Sequence, residues 1–453
     1  MSMRSLRASE KPYFRVMLLM KRFLLGMAVL TLLLGRATAS DGVDGTALVH
    51  SWNRLIIEVI MEDGFGPPIA ARIHAYSNLA GYEAARHADP AFRSMSGMLN
   101  GFTGVVQPAA DSVYDWRVAM VAAYQTSCSK LLYRISISDS LANVHFGDLA
   151  KVVPADVFQR SKAYGISVGK AINVYAKADG YNRTQGLPDY EWPRCDSCWM
   201  PTPPNFAKPL SPYCGRVRTI VLKSASEFPV PPSIPFSKDR RSAFYAAAQE
   251  VLDISRSLTK EQRHIAEFWN DNPVVTAYHG HFIFNSRQIS PGGHWMNIAQ
   301  QIMSSKATPA VGCLEIYSKL AFALFDGFTA CWQEKFRGNL IRPVTYVNQY
   351  IDKSWEPFLQ TPPFPEHASG HSTITAAAAE VLTSYFGDVP FVDSTEARFG
   401  FGVRSFESFR AAAAEASISR LYGGIHYRRG CDAGAEHGAS IGKAVLDRVR
   451  VRP

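Results

Sequence analysis

The sequence predicts an all-α protein built from packed helical bundles, with few or no strands. Three observations carry that prediction. Apolar residues recur at helical spacing over long stretches, while strand-type alternation is weak throughout. Two runs of the best helix former, Ala376–Ala379 and Ala411–Ala414, sit inside such stretches. No segment repeats at a fixed period, which leaves packed bundles in place of a solenoid. The 453 residues are 47% hydrophobic and 19% charged, enough apolar material for a large core and inconsistent with overall disorder.

Taken in order, helical patterning covers 47–61 and 69–86, on either side of a Gly-Phe-Gly-Pro-Pro break. It continues over 112–134 and 154–178, completing an N-terminal helical domain at 40–192. The next segment, 193–239, is an irregular connector: ten of the 27 prolines fall between 193 and 235, and proline removes the donors that regular structure needs. A C-terminal helical domain then spans 240–453. Its helices are expected over 240–258, over 260–269 behind a Thr259 N-cap, and over 294–304, 309–332, 372–386, 403–422 and 433–450.

Lys plus Arg number 48 against 39 Asp plus Glu, a net charge of +9. Seven of the basic residues and one acid lie in the first 39 positions, so the rest carries 41 basic and 38 acidic side chains. That near balance gives no footing for nucleic-acid binding. Residues 20–40 combine Lys21 and Arg22, a twelve-residue apolar run from Phe23 to Leu34, and small residues at Ala37 and Ala39. This is the layout of a signal peptide over 1–39 and predicts an exported, periplasmic or secreted protein. The run is shorter than the ~20 residues of a bilayer span, and no later segment qualifies, so the mature chain is expected to lack integral membrane segments. Export permits disulfides. Of seven cysteines, Cys195 and Cys198, with Cys214 nearby, suit a local bridge better than half of a zinc site, because a fourth ligand is missing. Oligomeric state has no signature in the sequence.

Three clusters in the last 120 or so residues carry chemistry: CWQEKFRGNLIRP (331–343), FPEHASGHSTITAAAA (364–379) and ISRLYGGIHYRRG (418–430). Lys335, Arg342 and Arg420 supply fixed positive charge and many donors, suited to a tetrahedral oxyanion. The seven-residue spacing of Lys335 and Arg342 predicts that they lie two turns apart on one helix face. Ser369 offers a hydroxyl, and Gly370 lets backbone N–H groups approach a ligand. His371 stands where a helix begins, an end that favours anions. His371 and His426 supply acid/base and nucleophile or ligand chemistry. The two glycines between Arg420 and His426 suit a helix turning into a loop.

These clusters together resemble the superfamily of vanadium-dependent haloperoxidases and type 2 phosphatidic acid phosphatases, whose signature is Lys-x6-Arg-Pro, Pro-Ser-Gly-His and Ser-Arg-x5-His-x3-Asp. The matching positions are Lys335, Arg342-Pro343, Ser369-Gly370-His371, Ser419-Arg420 and His426, with spacers of 24 and 47 residues. Ala368 replaces the proline, and Gly430 replaces the acid four residues after His426. Asp432 and Glu436 are the acids next in line to take its place. Trp332, Phe364 and the FWND segment ending at Asp271 are similar to the haloperoxidase branch, Phe364 to its chloroperoxidase-like members. The SPGGHWMNIA segment (290–299) belongs to the same likeness, and GFGPPIAARIHAYSNLAGYEA (64–84) resembles exported bacterial members.

The resemblance implies an enzyme that oxidises halide with hydrogen peroxide, with vanadate as cofactor. His426 would be the protein's ligand to vanadium. Lys335, Arg342, Ser369, Gly370 and Arg420 would hold the oxyanion oxygens, His371 would handle protons and Lys335 would polarise the oxidant. Asp271 would brace the site's cations, beside Trp332 and Phe364. Two other readings share the pocket. A soluble exported acid phosphatase acting on small phosphate esters would use His426 as nucleophile and no cofactor; a silent oxyanion-binding protein would turn nothing over. His264, His279, His281, His294 and His367 are not expected to be ligands.

Overall fold

The computed structural model describes residues 42–452 except 274, 280, 281 and 287, with backbone alone for the strands between them. The expected signal segment, His281 and the side chain of His279 therefore lie outside what is described. Among the described residues, fourteen α-helices dominate, and the β-structure is two small two-stranded antiparallel sheets and one isolated bridge between Cys198 and Leu340.

The first bundle comprises α1 (Gly45–Asp63), α2 (Pro67–Ala85), α3 (Trp116–Leu131), α4 (Ile135–Leu149) and α5 (Ala155–Lys177), followed by a short α6 (Tyr181–Gln185). The break at 64–68 acts as expected: Gly64 takes φ +69° and Pro67 opens α2, where its missing N–H costs nothing. Asp115 caps α3 by accepting from the N–H groups of Arg117 and Val118. Helix α4 falls in a serine-rich stretch that periodicity alone leaves unassigned; its buried face is sparse, being Ser138, Leu141, Ala142, Phe146 and Leu149.

Residues 193–239 hold one 3-10 turn, Cys214–Arg216, and otherwise run irregularly. Cys195 and Cys198 form a disulfide, and Cys214 is a separate buried thiol. The segment is tied down by backbone pairing to 339–341: Ile341 N–H donates to Ser197 O at 2.8 Å and Trp199 N–H to Asn339 O at 2.8 Å.

The remaining helices are α7 (Ala243–Arg256), α8 (Lys260–Phe268), α9 (Pro291–Ser305), α10 (Ala310–Gly338), α11 (Pro343–Tyr350), α12 (Gly370–Phe386), α13 (Phe409–Tyr422) and α14 (Arg428–Arg448). Thr259 caps α8 in a full capping box with Gln262. Strands β1 (Val275–His279) and β2 (Phe282–Ser286) form a hairpin, with Val275 opposite Ser286 and His279 opposite Phe282. Strands β3 (Phe391–Asp393) and β4 (Arg404–Phe406) pair likewise, Phe391 opposite Phe406. The helix expected over 403–422 therefore starts only at Phe409, behind a Ser408 cap, because 404–406 is taken by the sheet.

Helix α10 is the axis of the molecule, buried on nearly all sides over 29 residues and packed against α2, α9, α12 and α14. It belongs by sequence to the C-terminal segment yet forms much of its core with α2, so 45–453 is one compact unit and the two expected helical domains share an interior. Helix α12 packs on α14 through an unusually close contact, described below. No helix among the described residues is long and apolar enough to cross a membrane.

Candidate active site

Lys335 lies in the last turn of α10 and is fully buried. Asn339 ends the helix in the left-handed conformation, φ +49°, and its N–H returns to Lys335 O. Arg342 is the N-cap residue of α11, with Pro343 as the first helical residue. The expectation that Lys335 and Arg342 share one helix face is therefore incorrect. They reach one pocket because the chain turns between them, at a Gly-Asn stop followed by Arg-Pro.

Both cations are held by carbonyls of the 364–366 loop. Lys335 Nζ donates to Pro365 O and Glu366 O, each at 2.9 Å, leaving one N–H uncommitted. Arg342 Nε donates to Phe364 O at 2.8 Å and Nη1 to Ile425 O at 2.7 Å; Nη2 is buried with no partner. Phe364 lies under both cations, 5.1 Å from Lys335 Nζ and 5.0 Å from the Arg342 guanidinium, and packs on Trp332 at 4.8 Å between centroids. Burial pulls the Lys335 ammonium down to about 7 and the Arg342 guanidinium to about 10.

Ser369 caps α12, its hydroxyl accepting from Ser372 N–H at 3.3 Å. Gly370 begins α12, so its N–H is among the donors the helix cannot use itself. A side chain on Gly370 would press on the Trp332 ring, at 3.2 Å from its Cβ. His371 follows, with a buried, partnerless Nε2 that lies 3.8 Å from Asp271 Oδ2. Arg420, in the last turn of α13, donates to the Trp269 and Asn270 carbonyls and, through Nε, to Ser419 Oγ at 2.9 Å. Burial lowers its pKa to about 10. The chain then leaves the helix through Gly423 and Gly424 to His426, as the two glycines imply.

His426 is buried between a cation and an acid. Nε2 stands 3.1 Å from Arg342 Nη1, and Nδ1 lies 2.7 Å from Glu366 Oε1. Burial, then Arg342 and Lys335, holds its pKa well below the ordinary histidine value; burial and Arg420 do the same for His371. Both imidazoles are neutral in this pocket. Asp432 and Glu436, the acids next in sequence, do not substitute at His426: Asp432 is exposed, and Glu436 is exposed and reaches Arg429 at 3.5 Å.

Asp271 sits at the far side of the pocket with φ +44°, its Oδ1 2.8 Å from His294 Nδ1. His294 Nε2 is in turn 2.7 Å from Asp393 Oδ2, and Glu396 Oε1 lies 3.8 Å from Nδ1. Burial pulls His294 towards neutrality, but Asp271 and Asp393 outweigh it and hold the ring protonated. Asp271, His294 and Glu396 have the spacing to hold a metal ion, yet both ring nitrogens are occupied by carboxylates. His294, Asp393, Glu396 and Glu366 are members of this candidate site's hydrogen-bond and charge network that motif reading passes over. The local signals were Glu366, an acid inside the Pro-Glu-His-Ala-Ser-Gly-His run, and His294, inside the SPGGHWMNIA segment. His367, by contrast, turns away to Pro231 O at 2.9 Å.

A separate cavity of about 820 Å³ lies beside this pocket, lined by Arg72, Tyr181, Tyr190, Trp192, Lys208 and Tyr213 among others. It holds none of the residues above; Leu210 in its wall accepts the Trp332 indole N–H at 3.0 Å.

The donors of Lys335, Arg342, Arg420 and the α12 N-terminus, with two neutral imidazoles, suit one tetrahedral oxyanion. The buried partnerless atoms Arg342 Nη2 and His371 Nε2 fit such a guest. The family model of the VCPO second helical-bundle domain matches residues 315–452, which include every one of these groups. Among solved structures, the chain is similar to the first bacterial vanadium-dependent iodoperoxidase, at 35% identity over 92% of this chain and 99% of that one, TM-score 0.84. Holo and apo forms of a bacterial vanadium-dependent chloroperoxidase share the fold at 16% and 15% identity, each over 85% of this chain and 94% of that one, TM-scores 0.64 and 0.63. No curated protein matches the sequence.

Proposed function

Because the chain belongs to the vanadium-dependent haloperoxidases, we propose that it binds vanadate at His426 and uses it to oxidise halide with hydrogen peroxide. The supporting observation is the 35% identity across 92% of the chain, joined to a pocket whose buried, partnerless donors suit an oxyanion. Bound vanadate supplies Lewis-acid activation of peroxide, with the metal unchanged in oxidation state. Overall, halide, peroxide and one proton give hypohalous acid and water.

The chain's own residues have separable tasks. His426 offers the lone pair of Nε2, because its Nδ1 proton is committed to Glu366. Lys335, Arg342 and Arg420 neutralise the oxyanion, and Ser369 and the Gly370 N–H bond its oxygens. His371 holds or gives up a proton at Nε2, which is buried without a hydrogen-bond partner 3.8 Å from Asp271 Oδ2. Trp332 and Phe364 close one wall and keep water from the Lys335 ammonium. The Phe364 likeness points to chloride competence, whereas the 35% identical relative is an iodoperoxidase; we take iodide as the preferred halide. The pattern at 20–40 supports export as a further proposal.

The test is a two-armed assay on purified protein. One arm follows vanadate-dependent iodination and bromination of a dye with peroxide. The other follows hydrolysis of a chromogenic phosphate ester without vanadate. Halogenation blocked by phosphate is expected; ester hydrolysis alone would make the protein a phosphatase, and silence in both arms an oxyanion binder. His426→Ala should lose vanadate, and His371→Ala should keep it while losing turnover. Equal loss of binding in both would refute these roles.

A further inference from the structure

We propose that Glu366 is the residue that orients His426, and that position 430 is glycine because the Glu366 carboxylate occupies the space a side chain there would need. The inference deepens the vanadate reading and rests on it. Glu366 comes from the loop before α12, sixty residues before His426, and is fully buried. Its Oε1 meets His426 Nδ1 at 2.7 Å and accepts the Tyr427 backbone N–H at 3.1 Å. A carboxylate accepting at Nδ1 fixes the tautomer with its lone pair on Nε2 and sets the ring plane. Without that partner the Nδ1 proton has no acceptor, and the ring's plane and tautomer rest on the single Arg342 Nη1 contact at Nε2, 3.1 Å away.

Gly430 supplies the second observation. A Cβ built there falls 2.2 Å from Glu366 Oε1 and 3.0 Å from Cδ and Oε2. Any side chain at 430 therefore expels the carboxylate that His426 uses. The relation also runs the other way. An aspartate oxygen lies two bonds from its own Cβ, so a carboxylate on residue 430 would reach the volume that Oε1 now fills. Positions 366 and 430 are two routes to one point beside Nδ1, and this chain takes the first. The structure thus accounts for the missing acid after His426: the acid is supplied from the loop before α12.

The experiment uses the full chain and measures vanadate affinity by equilibrium dialysis, phosphate affinity by competition, and thermal unfolding, for wild type, Glu366→Ala, Gly430→Asp and the double variant. Glu366→Ala should weaken vanadate 10–100-fold, the usual effect of losing a ligand's orienting partner. Phosphate, which needs the cations but no lone pair on Nε2, should bind at least as well as in wild type, since a negative charge has left a cationic pocket. General collapse of the pocket would weaken both anions, and that result would overturn the proposal. Gly430→Asp alone should also weaken vanadate, by displacing Glu366. The double variant should recover affinity to within severalfold of wild type. Unchanged vanadate binding in Glu366→Ala, or a double variant that melts normally yet binds no better than Glu366→Ala, would refute the assignment. A wild-type chain that takes up no vanadate would instead sink the functional reading itself, so the two failures are distinguishable.

Discussion

Replacing Gly438 by alanine should loosen the oxyanion site from a distance. Gly434, Gly438 and Gly442 fall four apart and line one face of α14. Cβ atoms built on them would lie 2.6 Å from Ser369 O, 1.8 Å from Thr373 O and 2.7 Å from Ala377 O, a row of carbonyls along α12. At 438 the obstacle is backbone on backbone, with no side chain to swing aside. Real Cβ contacts stay above 3.0 Å, so the helices must part locally by at least 1.2 Å. Such overpacking costs ~3 kcal/mol at the upper end of its range, and the helix-propensity gain from Gly to Ala returns ~1 kcal/mol. The net loss is about 2 kcal/mol. With an unfolding entropy of ~2.1 cal/mol/K per residue over roughly 400 residues, Tm should fall by about 2 °C. Because α12 begins at Ser369, Gly370 and His371, phosphate and vanadate should also bind several-fold more weakly. Gly147→Ala is the control: Gly147 is an exposed α4 residue with nothing within 4 Å of the added methyl, so it should gain ~1 kcal/mol and leave affinity alone. Scanning calorimetry and anion titration of the pair decide the matter. A Gly438→Ala protein as stable and as tight-binding as wild type would show that the glycine row does not set the α12–α14 distance.

Two other expectations concern Lys335 and the Cys195–Cys198 disulfide. Lys335 titrates near 7 because it is buried beside Arg342, and an oxyanion in the pocket favours its charged form. Between about 7 and the higher bound-state value, binding must take up protons, and affinity must fall as pH rises, by at most about tenfold per unit; titration calorimetry in buffers of different ionisation enthalpy measures the uptake, and Lys335→Arg should reduce it. The Cys195–Cys198 disulfide closes a very short loop, so Cys195→Ser should cost no more than about 2 kcal/mol; anion affinity should stay within twofold, because Arg342 is held by Phe364 O and Ile425 O, and a reductant should lower the melting temperature of wild type only.

The helices with long apolar periodicity were legible to within a few residues, and so were the motifs whose parts are close in sequence. Ser369, Gly370 and His371 are consecutive, and Arg420 and His426 are joined by the glycine turn. The errors have physical causes. The seven-residue spacing of Lys335 and Arg342 suggested one helix face, although Gly338-Asn339 is a helix stop that overrides spacing. Strand β4 was absorbed into the α13 pattern, because its three residues are stabilised by Phe391 opposite Phe406 and not by local sequence. Glu366, His294, Asp393 and Glu396 went unassigned because their partners lie 23 to 102 residues away. No local pattern encodes such pairs.

Those long-range partners explain how the fold tolerates its own site. Lys335, Arg342 and Arg420 are three buried cations, and burying a charge is expensive unless it is paired or hydrogen-bonded. They are met chiefly by backbone carbonyls: Pro365 and Glu366 for Lys335, Phe364 and Ile425 for Arg342, Trp269 and Asn270 for Arg420. Carbonyls inside a helix are spent on the helix, so a predominantly helical protein can offer them only from helix ends and irregular segments. The segments 269–271, 364–369 and 423–427 are therefore irregular for a reason: each presents carbonyls to a cation and carries a site residue. Carbonyls solvate cations without neutralising them. Among the described residues, the carboxylates of Glu366 and Asp271 are each committed to a histidine, Glu366 to His426 and Asp271 to the His294 imidazolium. Burial, with Arg342 close by, depresses the Lys335 pKa, and the pocket, left short of negative charge, makes a multiply charged oxyanion the guest that completes the fold's own electrostatics.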